Sequence, residues 1–223
     1  QKLIAVNIGM PSYQQWQDNW ELLDIRSNTI DDFLNANAED MSDCLLGYRF
    51  LCTECPWLII AASGVGKSVL AMQMAILFAT GRDLWKLKPH KARKVVLIQA
   101  ENNFLDLVEP AQSITRILGL SETEKADLRK NFRVISDDTH SGEGFVRLLS
   151  SICDRYKPEI VIVDPLMAYI GGEISKQEVC TKFFRNGINP VIHRYNIGLI
   201  VLHHTGKPRS KDLKKICIRN IPL

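Results

Sequence analysis

Eight consecutive residues constrain this chain more than any others: Ala61-Ala-Ser-Gly-Val-Gly-Lys-Ser68. They lie between an apolar run, Trp57–Ala61, and an apolar stretch, Val69–Thr80, which predict a buried strand and a helix packed under a sheet. In a strand–loop–helix of this kind the loop N–H groups form an anion-binding nest, and the helix adds its positive N-terminal end. The segment therefore predicts a phosphate-binding loop in an α/β fold.

The predicted phosphate cradle consists of Ser63, Gly64, Val65, Gly66, Lys67, Ser68 and Val69. In this pattern the lysine reaches the β- and γ-phosphates and the serine hydroxyl binds Mg²⁺, while the two glycines let the backbone approach the phosphates. The pattern usually begins with glycine, whereas this chain has Ala61, at a position that turns the chain without touching phosphate. The alternative interpretation is an ordinary glycine-rich turn.

Apolar runs alternate with helical patterns through most of the remaining chain. Further strands are predicted at Lys94–Ala100, Arg133–Ile135, Glu159–Val163 and Gly198–Leu202. Alternating strands and helices predict an α/β fold with a mostly parallel sheet and helices on both faces. Within it we expect an N-terminal helical or extended segment over residues 1–50, a core over 51–210 that contains the phosphate-binding loop, and a basic tail over 211–223.

Helix boundaries are predicted from capping and breaking residues. Gly81 is expected to end the helix after the loop, Pro110 to begin a helix that runs to about Leu118, and Ser121 with Glu124 to form a capping box. Four other helical segments are predicted: Gln14–Leu23, Thr29–Leu34 with Asp31 as a cap, the amphipathic Phe145–Tyr156, and Gln177–Tyr195 with a break at Asn189-Pro190.

Two acidic residues follow predicted strands on the edge where α/β proteins bind ligands. Asp164 suits a carboxylate that holds the water shell of Mg²⁺, although an aspartate before proline also begins turns. Glu101 suits a base that orients or deprotonates an attacking water, although it could be a solvated acid at a strand end. Both are candidate catalytic residues together with Lys67.

His203 and His204 follow the last predicted strand. A polar group at this place can sense a γ-phosphate. A paired-histidine metal site and plain loop chemistry are the alternatives, and adjacent side chains on an extended chain point to opposite faces. Cys52 and Cys55 resemble half of a zinc site, with Cys44 as a third ligand, but the six cysteines are more simply explained as reduced thiols.

Composition excludes several classes of protein. With 46% hydrophobic and 24% charged residues the chain is neither disordered nor collagen-like, and its formal net charge of +3 does not by itself indicate nucleic-acid binding. No apolar run approaches the roughly 20 residues of a membrane span, and we find no signal peptide. We therefore expect a cytoplasmic protein without a membrane partner.

Four segments in matching order and spacing carry a resemblance: Ala62–Gln73, Leu97–Asn102, Ile162–Gly172 and Val201–Pro208. With these motifs the sequence resembles the RecA-superfamily ATPases. Within them it is most similar to the RepA-like replicative helicase group, often described as AAA family ATPases.

The resemblance implies ATP and Mg²⁺ as ligands, with Glu101 as the catalytic carboxylate. It implies a core whose last strand lies between the strand before the phosphate loop and the strand of Asp164. It further implies a homo-oligomeric ring, usually hexameric, with ATP between subunits and with loops after Asp164 and Leu202 facing a channel for single-stranded DNA.

Members of this group continue past the His-His-Thr-Gly-Lys segment into further strands, with residues that act across the subunit boundary. This sequence ends at Leu223 with a segment that matches none of them. We therefore expect a truncated form with no assignable arginine finger and with slow hydrolysis.

The last residues are nevertheless basic. The candidate DNA contacts are Lys207, Arg209, Lys211, Lys214 and Lys215. Clustered positive charge is typical of proteins that bind a phosphate backbone, although a solvated tail has the same composition. The leading hypothesis is a DNA-dependent helicase-type ATPase, and the alternative is a regulatory ATPase that acts on protein partners. Glu101 disfavours a small-molecule kinase, and the lack of an Asn-Lys-x-Asp motif disfavours a GTPase.

Overall fold

The structure is a computed structural model that describes residues 28–205. The chain divides into two compact units between Asp40 and Met41. In the described part of the first unit, helix α1, Ile30–Asn35, begins at Thr29, whose hydroxyl accepts a hydrogen bond from the Asp32 N–H at 3.3 Å. The cap is therefore Thr29 and not Asp31, because Thr29 can exchange reciprocal bonds with Asp32. The predicted helix Gln14–Leu23 lies outside the described residues.

The second unit alternates strands and helices along the chain. Its strands are β1 Cys44–Leu46, β2 Leu51–Cys52, β3 Pro56–Ala61, β4 Val95–Gln99, β5 Phe132–Ser136, β6 Ile160–Asp164 and β7 Gly198–His204. Its helices are α2 Lys67–Thr80, α3 Phe104–Leu118, α4 Glu122–Asn131, α5 Glu143–Tyr156, α6 Leu166–Tyr169, α7 Gln177–Cys180, a π-helix Thr181–Ile188, and α8 Asn189–Tyr195. The predicted boundaries at residues 50 and 210 stay predictions.

Five strands form a parallel sheet in the order β3-β7-β6-β4-β5, and β1 and β2 form a separate antiparallel pair. The α/β prediction is confirmed, as is the expectation that the last strand lies between the phosphate-loop strand and the Asp164 strand. Because all five strands are parallel, their carboxyl ends meet at one edge, which carries the loops of interest.

Helices cover both faces of this sheet. On one face α2 is buried from Ala71 to Thr80 except at the half-buried Gln73, with α3 and α4 packed beside it. On the other face α5, the π-helix and α8 bury Phe145, Phe183 and Ile192 against the sheet. All residues of the central strands β4 and β6 are buried, because the sheet is covered from both sides.

The strand predicted at Trp57–Ala61 is present as β3, but the prediction that it is buried is wrong. In β3 the side chains of Leu58 and Ile60 are 45% and 54% exposed. The reason is position: β3 is an edge strand, with β7 as its neighbour among residues 28–205. Trp57 and Ile59 contact the core beside α2, whereas Leu58 and Ile60 point to the opposite face.

Two helix predictions are also corrected. Helix α3 begins at Phe104 and not at Pro110, because Asn103 and Asp106 exchange capping hydrogen bonds of 3.0 and 3.1 Å, and a proline within the helix removes one hydrogen bond. The chain does not break at Asn189-Pro190, where the π-helix passes directly into α8. Asn189 donates its N–H to Phe184 O, and Pro190, which lacks an N–H, lies in the first turn of α8.

Two other predicted helix ends are confirmed, whereas α2 and α5 each begin two residues before their predicted starts, at Lys67 and Glu143. Gly81 ends α2 with a φ of 74°, and Ser121 caps α4 through the predicted exchange with Glu124. No helix within residues 28–205 is both long and apolar enough to cross a membrane.

Candidate functional site

The phosphate loop joins β3 to α2 at the carboxyl edge of the sheet. Gly64 and Gly66 have φ values of 79° and 88°, a left-handed conformation that side chains disfavour. A Cβ at either position would meet no atom within 4 Å, so these glycines are required by backbone conformation and not by crowding in the protein. The open space beside them is where a phosphate group would approach the loop.

Helix α2 begins at this loop. Its first intrahelical hydrogen bond runs from Leu70 N–H to Gly66 O at 2.9 Å, so the N–H groups of Lys67, Ser68 and Val69 have no partner within the helix. The 14 residues of α2 add their aligned dipoles behind these donors. The N-terminus is therefore suited to bind an anion.

Lys67 lies beneath the loop, only 5% exposed. Its ammonium donates to the carbonyl oxygens of Ala61 and Ala62 at 2.9 and 2.5 Å. The Ala61 carbonyl also accepts the Thr205 N–H at 3.1 Å, from the residue after β7. Neutral carbonyls leave the charge of Lys67 uncompensated, which favours a bound anion.

Asp164 is the last residue of β6, and its side chain is buried at 3% exposure. The Ser68 hydroxyl lies beside its carboxylate, so the start of α2 meets a strand that is not adjacent to β3. Burial raises the pKa of Asp164, an effect that the neighbouring Ser68 hydroxyl opposes and the Glu101 charge reinforces. The Oδ1 atom of Asp164 has no hydrogen-bond partner among the described residues.

Strand β7 places two histidines above Asp164. Val201 pairs with Val163, so β7 continues three residues past this pair whereas β6 continues one. His203 and His204 are therefore the last residues of the strand, a correction to the prediction that they follow it. The longer strand lets His204 Nε2 reach across β6 to Glu101 Oε2 at 3.6 Å.

The histidines contribute further polar atoms without partners. The Nδ1 atom of His203 and both ring nitrogens of His204 are buried and accept or donate no hydrogen bond within residues 28–205. Burial lowers the pKa of His203, and the nearby charges of His204 and Lys67 lower it further, which favours the neutral ring. Buried polar groups normally have partners, so these atoms indicate a ligand at this edge.

These residues fit a magnesium–triphosphate ligand. Lys67 and the start of α2 would hold the phosphates, while Ser68 and the unpartnered Asp164 oxygen would hold Mg²⁺, the latter through water. Glu101 has a carboxylate that is 54% exposed and faces the same edge, where it can contact water. Residues 28–205 contain no group of three or more His, Cys, Asp or Glu placed to hold a metal ion by themselves.

Comparison with known proteins agrees with this geometry. A family model described as an AAA domain matches residues 28–210. These include the whole cluster of candidate site residues, namely residues 63–69, Glu101, Asp164, His203 and His204. The chain belongs to the AAA domain family. This is a family of P-loop ATPases, which implies nucleotide binding, and the matched residues include the glycine-rich loop at Gly66. A search of curated proteins finds no match.

Three groups of candidate residues in this AAA domain remain: two valines, three cysteines and five basic residues. Val65 and Val69 lie on the loop and the first turn of α2, exposed by 63% and 46%. Cys44 and Cys52 are buried and Cys55 is exposed, all as free thiols. The candidate DNA contacts, Lys207, Arg209, Lys211, Lys214 and Lys215, lie outside the described residues.

A polar network that the sequence did not predict lies beside Glu101. Gln99 forms hydrogen bonds with both Asn102 and Ser136 at the carboxyl ends of β4 and β5. One signal for it was present: Gln99 is a polar residue at the end of an otherwise apolar strand. Ser136 gave no such signal, since its proximity depends on the pairing of β4 with β5.

Proposed function

We propose that this AAA domain is a Mg²⁺-dependent ATPase of the RecA type, most similar to the RepA-like replicative helicases, and that it acts on single-stranded DNA. We further propose that it works in the cytoplasm as a homo-oligomeric ring with six subunits. The finding that carries the ATPase proposal is that the start of α2 brings the Ser68 hydroxyl beside the buried Asp164 carboxylate. This pair joins the P-loop to the second acidic strand, and it leaves one carboxylate oxygen for the water shell of a metal ion.

Each polar residue of the cluster has a role in this proposal. Lys67 holds the β- and γ-phosphates, which are stronger partners for its charge than the carbonyls it contacts here. Mg²⁺, when bound, neutralises charge on the phosphate oxygens. Glu101 orients and deprotonates the attacking water, since its carboxylate is accessible and stands at the same edge. His203 and His204 lie beside Lys67 and Glu101, where they contact the γ-phosphate and respond to its loss.

A polynucleotide partner is supported by charge and not by described contacts. The positive residues of the sequence concentrate between Lys207 and Lys215, directly after the strand that carries the two histidines. A phosphate backbone is the partner that such a segment favours. DNA would then bind next to the place where the γ-phosphate is sensed.

The nucleotide edge also carries exposed apolar side chains. Val65 follows β3, while Phe104 and Leu105 follow β4, and they are 63%, 77% and 74% exposed. Exposed apolar groups of this size favour contact with another protein. In the ring proposal this protein is a neighbouring copy. In the alternative, a regulatory ATPase without DNA binding, it is a different protein.

The test measures ATP hydrolysis with and without single-stranded DNA. We expect DNA to stimulate the full chain, Lys67→Ala to lose both nucleotide binding and hydrolysis, and Glu101→Gln to keep binding while its rate falls about 10²–10⁴-fold. The amide preserves the size of the side chain and removes its basicity. Lys130→Ala and Glu178→Gln, at exposed positions outside the cluster, are matched controls that should retain the full rate.

The outcomes separate the hypotheses. Normal turnover by Lys67→Ala would disprove the P-loop assignment, and normal turnover by Glu101→Gln would assign the base to another acid. Hydrolysis that DNA neither stimulates nor inhibits, in a chain that does not bind DNA, would favour the protein-regulatory alternative.

A further inference from the structure

The carboxyl end of β4 holds a buried amide side chain. Gln99 is 2% exposed, and the other four residues of the strand are apolar and equally buried. It lies opposite Asp164 on β6 and opposite Ser136 on β5. A buried polar side chain between two strands is costly unless all of its polar atoms are bonded.

Gln99 satisfies this requirement by holding the turn that follows the strand. Its Oε1 accepts the backbone N–H of Asn102 at 2.9 Å, and its Nε2 donates to the backbone carbonyl of Asn102 at 2.5 Å. The same Nε2 also donates to Ser136 Oγ at 3.0 Å, and Oε1 accepts from Asn102 Nδ2 at 3.2 Å. The side chain therefore binds both main-chain polar groups of one residue and anchors that residue to β5.

Glu101 lies inside the turn that Gln99 closes. Its backbone is fixed on one side by β4 and on the other by Asn102, while within residues 28–205 its side chain makes one polar contact, at 3.6 Å to His204. The direction of the Glu101 carboxylate is thus set by the backbone of the turn more than by contacts of its own. Gln99 fixes the backbone of this turn through its hydrogen bonds to Asn102.

We propose that Gln99 is a positioning residue that fixes the direction of Glu101 for the attack of water on the nucleotide. This inference rests on the proposed function, in which Glu101 is the base. An amide suits the position because it donates and accepts at once, as Asn102 requires, and because it adds no negative charge opposite Asp164. Small displacements of a catalytic group are expensive, with about 10²-fold in rate for 1 Å.

The experiment compares Gln99→Met, which keeps the size of the side chain and removes its hydrogen bonds, with Gln112→Met at an exposed position on α3. We expect kcat for ATP to fall about 10- to 100-fold in Gln99→Met, while KM and the affinity for a non-hydrolysable ATP analogue change less than threefold. Gln112→Met should match the parent chain. Gln99→Glu keeps the acceptor for the Asn102 N–H but cannot donate to the Asn102 carbonyl, so its kcat should also fall. This second variant tests the inference if Gln99→Met does not fold.

A second readout is independent of turnover. Amide hydrogen exchange at Asn102 should be at least tenfold faster in Gln99→Met than in the parent chain or in Gln112→Met, because the acceptor of that N–H is removed. In a Glu101→Gln background, Gln99→Met should reduce kcat no further, since both changes act through one group.

These results distinguish the inference from the proposal beneath it. A parent-like kcat in Gln99→Met, unchanged exchange at Asn102, or losses that multiply in the double variant would each overturn the role of Gln99. Parent-like hydrolysis by Glu101→Gln alone would overturn the role of Glu101, and the positioning inference with it.

Discussion

Gly66 holds the phosphate loop in a backbone conformation that other residues adopt only with strain. Its φ of 88° stands at the start of α2, and a Cβ added there would meet no atom of the protein within 4 Å. Alanine should therefore cost stability through backbone strain alone, about 1–2 kcal/mol. Its methyl group would project into the space that a phosphate needs.

Gly66→Ala should consequently lose nucleotide binding out of proportion to its loss of stability. Gly119 is a matched control, because it has a φ of 56°, has equally open space and ends α3 far from the loop. Gly119→Ala should unfold at a similarly reduced temperature yet bind an ATP analogue as the parent chain does. Thermal unfolding and fluorescence titration measure the two effects. Equal nucleotide affinity in both variants would contradict a phosphate contact at Gly66.

The functional residues that could be predicted from sequence are those in a contiguous motif or at the end of an apolar strand. Lys67, Ser68 and Asp164 belong to this class, and the structure brings them together. Gln99 and Ser136 do not, because their proximity depends on strand pairing, which sequence periodicity does not specify.

At the scale of elements, a charged network joins the amino ends of β4 and β6. Glu159 accepts from Arg93 Nη1 at 2.9 Å, from Lys91 Nζ at 3.0 Å and from the Lys94 N–H at 3.1 Å. Arg93, which is 7% exposed, also donates to the carbonyl of Cys44 and so connects β1 to the main sheet. The network lies at the amino ends of the strands, opposite the nucleotide edge, and its role is structural.

Glu159→Gln should therefore destabilise the fold, by about 3 kcal/mol at neutral pH, because it leaves the buried Arg93 charge uncompensated. Burial opposes ionisation of Glu159, but its hydrogen bonds to Lys91, Lys94 and Arg93 prevail and lower its pKa below the ordinary 4.5.

A carboxyl group whose pKa is lower in the folded than in the unfolded state stabilises the fold at pH values above its unfolded-state pKa. This stabilisation is lost as the pH falls through the folded-state pKa. The stability difference between Glu159→Gln and the parent chain should thus be full above pH 4.5 and shrink in more acidic solution. Urea unfolding at several pH values measures it. Glu122→Gln, which breaks an exposed pair with Lys125, should change little. A pH-independent difference would show that the charge of Glu159 is not what matters.

Helix boundaries could be predicted from the sequence where hydrophobic periodicity and capping residues agree. They could not be predicted where one residue was the only local signal. From the sequence, proline predicts the start of one helix and a break in another, yet Pro110 lies inside α3 and Pro190 lies in the first turn of α8. In both places the neighbouring hydrogen-bond pattern decided the outcome: the Asn103 cap in α3 and the change from π- to α-helical bonding at Asn189.

At the scale of the whole molecule, the proposed DNA binding depends on five positive residues between Lys207 and Lys215. Replacing all five with alanine should weaken binding to single-stranded DNA and flatten its dependence on salt. Each neutralised phosphate contributes roughly −0.7 to the log–log slope, so the slope should become shallower by up to about 3.5. Fluorescence anisotropy of a labelled oligonucleotide over a series of KCl concentrations measures both effects.

The control for this variant removes positive charge elsewhere. Alanine at Lys125, Arg129 and Lys130, all exposed on α4, should leave the salt slope unchanged. An unchanged slope in the five-residue variant, or an equal change in the α4 variant, would place DNA binding on another surface.

The carbonyl oxygen of Ala61 is a hydrogen-bond acceptor that two parts of the molecule share. It holds the ammonium of Lys67 and the N–H of Thr205 at the same time, one from beneath the P-loop and one from the exit of β7. A phosphate that drew Lys67 away would leave this oxygen to the N–H of Thr205 alone. The phosphate loop and the end of β7 therefore share one hydrogen-bond acceptor, so a change in the loop would be felt where the chain leaves the sheet.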